Sequence, residues 1–176
     1  MFKNLFSKNK SARATPDGSY VEIANTKKHL GTELRACLYL YNEEKFIISS
    51  IAGIAEYGEP ALLDVNVSDE NLGLTVCDKL LEFQPKNNKD ISKNTLEDWL
   101  SYKASGAKTG KVFESNSIYV YIQTVNSAII ITASPRVTNN QTLKAKCSAV
   151  GDHYKIGAAI RMAIEASKTL RQAGLL

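Results

Sequence analysis

The chain contains one helical unit twice, and that duplication restricts its fold more than any other feature. Asp152-His-Tyr-Lys-Ile-Gly-Ala-Ala-Ile-Arg-Met-Ala-Ile164 follows the pattern of Ser68-Asp-Glu-Asn-Leu-Gly-Leu-Thr-Val-Cys-Asp-Lys-Leu80. Each copy opens on a residue suited to cap a helix, Ser68 or Asp152, because its side-chain oxygen can accept from a first-turn N–H. Each then reaches an apolar–glycine pair, Leu72-Gly73 or Ile156-Gly157, and continues with aliphatics at helical spacing: Val76 and Leu80, or Ile160 and Ile164. A glycine beside the first apolar anchor removes the side chain that would hold this helix away from its sheet or its twin.

Alternating segments precede each helix. In the first half these are Ser19–Ala24, Glu33–Tyr41, Phe46–Ala55 and Ala61–Val67; in the second they are Val112–Glu114, Ser117–Val125, Ala128–Ala133 and Leu143–Val150. Thr15–Gly18, Asn42–Lys45, Glu56–Pro60 and Asn126-Ser127 carry turn chemistry, Gly53 marks a bulge, and Lys27–Thr32, Lys86–Asp90, Ser105–Lys111 and Ser134–Gln141 read as loops. Pro85 and Gly174 stop the two helices, and Leu96, Trp99 and Leu100 suit a short helix over Thr95–Leu100. On the long helix Ile156, Ile160, Ala163, Ile164 and Leu170 form the apolar stripe, with Lys155, Arg161, Glu165 and Lys168 facing water. The expected fold is α+β: two ββββα repeats (about 19–85 and 111–174), antiparallel sheets braced by two helices, in one domain over 15–176.

Charge separates a tail from a body. Lys3, Lys8, Lys10 and Arg13 lie in residues 1–14 without an acid, and the remaining basic residues balance the 18 acidic ones. A basic flexible tail on a neutral body argues against a nucleic-acid binder, whose folded face should carry the positive charge. No apolar run approaches the length of a membrane span, and the start is not a secretory signal, so the expected location is the cytoplasm. Three cysteines, Cys37, Cys77 and Cys147, without C-x-x-C spacing, suggest neither a disulfide framework nor a zinc site.

No catalytic constellation is present. His29 follows two lysines in a loop, and His153 sits in the first turn of a helix. Gly106-Ala-Lys-Thr-Gly-Lys-Val112 fails as a phosphate loop, with one residue too few between its glycines and a valine where a magnesium-binding hydroxyl belongs. Asp64, Asp69 and Glu70 are explained by capping and helix-dipole matching. Neither metal nor cofactor is expected. The tyrosines are more informative. Tyr39 and Tyr41 lie opposite Ala36, Leu38 and Leu40, as Tyr119 and Tyr121 lie opposite Ile118, Val120 and Ile122. That design fits a half-exposed face of cross-strand aromatic pairs, a second small core under a loop, or a recognition surface.

Read whole, the chain resembles the CdiI immunity proteins of bacterial contact-dependent growth inhibition systems. The matching stretches are His29–Ala36, Ile54–Ala61, Glu70–Asp78 and the end from Ala166 to Leu175. The resemblance is to the type that neutralises a zinc-dependent DNase toxin at the C-terminus of a CdiA exoprotein. It implies a Whirly-like fold, no enzymatic activity, and binding of the CdiA C-terminal nuclease domain by β-augmentation, a toxin hairpin adding strands to the sheet. The expected toxin-binding residues are Tyr39, Tyr41, Glu56, Tyr57, Tyr119 and Tyr121. The alternative is a Whirly-like binder of single-stranded nucleic acid, with tyrosines as stacking platforms.

Overall fold

The structure is a computed structural model in which residues 18–86, 95–135 and 144–173 are described. The order is α1 (Gly18–Leu30), β1 (Arg35–Tyr41), β2 (Lys45–Ala52), β3 (Ala55–Asp64) and α2 (Asp69–Leu81). A 3₁₀ turn at Leu96–Asp98 leads to α3 (Leu100–Ser105), α4 (Gly110–Ser115), β4 (Ser117–Val125), β5 (Ala128–Ser134), β6 (Ala145–Ala149) and α5 (His153–Gln172). The strands form one antiparallel sheet in the order β3-β2-β1-β4-β5-β6. The fold is α+β, as the pattern predicts.

The twin helices α2 and α5 pack on each other and on one face of this sheet. Both caps form as expected: Ser68 Oγ accepts from the Asn71 amide at 3.2 Å and Asp152 Oδ1 from the Lys155 amide at 2.8 Å. Leu72, Val76, Leu80, Ile156, Ile160 and Ile164 are buried against Leu38, Phe46, Ile48, Val120, Ile122 and Ile131 of the sheet. Full burial of each such side chain contributes roughly 1.5–3 kcal/mol, so this layer is the main source of stability.

The two helices touch without any intervening side chain. A Cβ on Gly73 would lie 1.9 Å from the carbonyl oxygen of His153, and one on Gly157 would lie 1.9 Å from that of Asp69. The sequence shift that carries Gly73 onto Gly157 also carries Asp69 onto His153, so the contact is reciprocal. The same shift carries Cys37 onto Tyr121, which are direct partners in the central β1–β4 pair. It carries Asn42 onto Asn126, which take left-handed φ values of 54° and 53° in the two hairpin turns. The duplication thus becomes a pseudo-twofold axis between β1 and β4.

Several expectations are corrected. Each half contributes three strands to a shared sheet, not four to its own. Ser19–Ala24 is helical in α1, where Tyr20, Ile23, Lys27 and Leu30 turn inward at helical spacing, and Lys27-Lys28-His29 before Gly31 (φ 63°) form a C-terminal stop. Val112–Glu114 is helical in α4, where Thr109 Oγ1 caps the Val112 amide at 3.3 Å and Phe113 is buried. Glu56–Pro60 is not a turn but part of β3, which spends extra residues there as a bulge opposite Ile48–Ser50. The turn lies earlier, at Gly53 (φ 62°), where β2 folds back into β3. Arg161 does not face water. Its Nε donates to Asp69 Oδ1 at 2.7 Å, its Nη1 to the Val65 carbonyl at 2.9 Å and its Nη2 to the Val67 carbonyl. The basic tail, most of Thr15–Gly18, Lys86–Asp90 and Ser134–Gln141, and Gly174 lie outside the described residues.

Gly73→Ala and Gly157→Ala should each lower stability by about 1–3 kcal/mol or more, since backbone carbonyls cannot yield as side chains do. Gly18→Ala, with nothing near its Cβ position, is the control. Urea unfolding midpoints would show it, and a Gly73→Ala midpoint equal to wild type would contradict the reciprocal contact.

Candidate functional site

The second sheet face is where the two halves stop being equivalent. Over β1 to β3 it is covered by α3 and α4, so β1 is buried on both sides. Over β4 and β5 it is only half covered: Tyr119, Tyr121, Gln123, Ile130 and Thr132 all retain some exposure. The covering element is fixed by polar contacts at both its ends. Glu56 Oε2 accepts from the Ser101 amide at 2.6 Å in the first turn of α3. Lys45 Nζ donates to the Ser105 carbonyl at 2.9 Å at its end, and the Ser49 and Ser101 hydroxyls bond at 2.9 Å between them. An acid at the start and a cation at the end both match the helix dipole.

Beneath this cover lies an aromatic core. The Tyr39 ring stands 5.2 Å from Phe113, 5.2 Å from Tyr119 and 6.3 Å from Trp99, all tilted. Tyr41 stacks on Phe113 at 5.9 Å, with Lys45 Nζ 5.6 Å from the Tyr41 ring centroid. Tyr39 and Tyr41 are therefore mainly structural, the second small core that the pattern allowed. At its edge a cleft of about 80 Å³ opens between β1, β3, β4 and Trp99, with Cys37, Tyr39, Glu56, Trp99 and Tyr119 on its walls and Ile54 beside it.

Of the six expected residues the fold brings Tyr39, Glu56 and Tyr119 together in this cleft. Tyr121 lies on the same face nearer the half-covered region, and Tyr41 is withdrawn under α4. Tyr57, next to Glu56 along an extended strand, points to the opposite side and is 46% exposed. Trp99, Cys37 and Ser101 complete the site. Trp99 had a visible signal in its spacing from Leu96 and Leu100, but that spacing reads as one short helix. Here Trp99 is extended (ψ 131°) between the 3₁₀ turn and α3, which turns its ring onto Tyr39.

The cleft's electrostatics follow from burial. Burial pushes the Glu56 carboxyl above its usual range, while hydrogen bonds from the Ser101 amide, Tyr39 and Cys37 pull it back. Burial, with Glu56 alongside, also raises the Cys37 thiol well above its ordinary value, and Tyr39 and Tyr119 rise for the same reason. A thiol kept protonated is a poor nucleophile and a poor metal ligand. No group of three metal-ligating side chains occurs among the described residues. A larger depression of about 520 Å³, lined by Lys27, Lys28, Gly31, Thr32 and Glu33, lies at the end of α1 and is broadly open. Lys27 is already committed there, to Glu33 at 2.6 Å and to the Asn126 carbonyl at 2.5 Å.

Because the folded Glu56 carboxyl titrates above its unfolded value of about 4.5, its contribution to stability is full below that value. It is lost as pH rises through the folded one. Glu56→Gln, whose amide oxygen can still accept from Ser101, should therefore gain on wild type as pH is raised from about 4 to about 8. Urea unfolding across that range reads the difference; a gap that is constant with pH, or moves the other way, would refute it.

No protein-family model matches the chain, and no curated protein matches it in sequence. Solved structures do. A protein of unknown function from Neisseria meningitidis superposes with a TM-score of 0.56 at 20% identity, over 77% of this chain and 95% of that one. A chain of the CdiA-CT/CdiI toxin and immunity complex from Yersinia pseudotuberculosis superposes with a TM-score of 0.54 at 17% identity, over 76% of this chain and 97% of that one. These likenesses establish a shared fold.

Proposed function

We propose that the chain is an immunity protein of the CdiI kind, which binds the C-terminal toxin domain of a CdiA exoprotein and blocks it without performing chemistry itself. The observation that carries this reading is the shared fold with a chain of a CdiA-CT/CdiI toxin and immunity complex, found where the sequence resemblance already pointed. The surface is consistent with it. The aromatic cleft is far smaller than the ~300–1,000 Å³ of ordinary small-molecule sites, so a protein partner suits it better than a substrate. No helix among the described residues is long and apolar enough to cross a membrane.

β-Augmentation needs a sheet edge with unsatisfied backbone groups. Among the described residues the edges are β3 and β6. β3 is the better candidate: it spans ten residues against five for β6, and Leu62 and Tyr57 on it are 53% and 46% exposed. It also borders the cleft through Glu56. On the sequence resemblance the toxin is a nuclease, and its hairpin would pair along Ala61–Asp64. The single-stranded nucleic-acid alternative is disfavoured by an acidic cleft and by burial of Tyr39 and Tyr41, which leaves few rings for stacking.

Co-expression of the chain with the C-terminal domain of the exoprotein encoded beside it should rescue growth and yield a co-purifying complex. Leu62→Lys, a charge placed on the open edge, should weaken that complex about tenfold or more, with the thermal midpoint of the free protein unchanged. No complex and no protection would reject the immunity reading; tight binding by Leu62→Lys would reject β3 as the docking edge.

A further inference from the structure

We propose that the cleft at Glu56 is a cage for one cationic side chain, a lysine or arginine presented by the protein partner. Its composition argues for that chemistry. A carboxylate sits at its base, with Glu56 Oε2 held by the Ser101 amide at 2.6 Å. The Cys37 thiol donates weakly to Oε1 at 3.7 Å, and the Tyr39 hydroxyl also bonds the carboxylate, so every donor around it is a neutral group. Its walls are the rings of Tyr39, Trp99 and Tyr119, whose faces attract a cation. Among the described residues no lysine or arginine forms an ion pair with Glu56, although ion pairs engage Glu33, Glu43, Asp69, Glu82, Asp152 and Glu165 elsewhere.

Other occupants fit worse. An anion is repelled by Glu56, and one carboxylate beside a protonated thiol offers too few donors for a metal. The volume of about 80 Å³ holds several water-sized spheres, enough for an ammonium or guanidinium head and part of its stem, and too little for a base with its sugar. Glu56 is half-buried beside apolar rings with no counter-charge from a described residue, an arrangement that costs the free protein and that a partner's cation would offset. Glu56 therefore has two roles: it pins α3 over the aromatic core, and it selects a basic residue at the tip or flank of the docking strand. The identity of the partner rests on the immunity reading; the cation preference does not.

Trp99 is the chain's one tryptophan and lines the cleft, so its fluorescence reports occupancy directly. The full-length protein is titrated with N-acetyl-arginine methylamide, N-acetyl-lysine methylamide and the uncharged isostere N-acetyl-citrulline methylamide. The expected result is a saturable change with arginine or lysine in the millimolar range, weakened about tenfold or more by citrulline and by Glu56→Gln. Tyr119→Leu, which removes one wall and leaves the carboxylate, should weaken binding independently. Equal response to citrulline, unaltered binding by both variants, or no saturable change overturns the cage. A free polyamine binding more tightly than the capped arginine overturns its assignment to a partner side chain. These titrations use no toxin, so their failure leaves the immunity reading standing, and failure of co-purification leaves the cage standing.

Discussion

The crossing of α2 over α5 at Gly73 and Gly157 is the contact on which the rest of the structure depends. Each glycine admits the other helix's first-turn backbone to a distance that any side chain would forbid. That brings two aliphatic stripes onto one continuous apolar face, and the face is continuous because β1 and β4 pair across the pseudo-twofold axis. Arg161 secures the same junction from α5 by taking Asp69 and the carbonyls of Val65 and Val67, with its guanidinium 5.3 Å from the Phe46 ring. With one face so firmly closed, the opposite face is free to be specialised.

Specialisation comes through asymmetry. Duplication alone would leave two equivalent tyrosine faces. The α3–α4 cover over the first half converts Tyr39 and Tyr41 into core, while Tyr119 and Tyr121 in the second half stay partly exposed. The cleft forms at the boundary, where the cover ends and Glu56 must serve both as a clamp on α3 and as a charge in an aromatic setting. A bulged, open β3 runs beside it. Edge, cleft and half-covered aromatic face lie side by side, and the proposed docking falls there.

How much of this was legible from residues alone varied with the length of the signal. The twin helices, their caps, the hairpins at Asn42 and Asn126, and the central strands were plain, because capping chemistry and several residues of periodic pattern agreed at each. Ser19–Ala24 fits either period, since Val21 and Ile23 alternate as on a strand while Tyr20 and Ile23 stand three apart as on a helix; the Lys27–Gly31 helix stop decides it, and in isolation that stop reads as a loop. Val112–Glu114 was too short for any period to show. Glu56–Pro60 carries every sign of a turn, yet glycine and proline also serve in an edge-strand bulge, and only pairing with β2 decides between them. The site was half legible. Tyr39, Glu56 and Tyr119 were selected, but their convergence depends on Trp99 and Ser101 folding back from a distant segment, and no local pattern encodes that.

The account's central claim is that partner recognition belongs to β3 and the adjoining cleft, while α2 and α5 only brace the sheet. Hydrogen exchange on the free protein and on its complex with the toxin domain tests this most directly. The account predicts new protection along Ala61–Asp64 and in Trp99–Ser101 near Glu56, with α2 and α5 exchanging as before. Protection confined to the exposed faces of α2 and α5, with β3 unchanged, would contradict it.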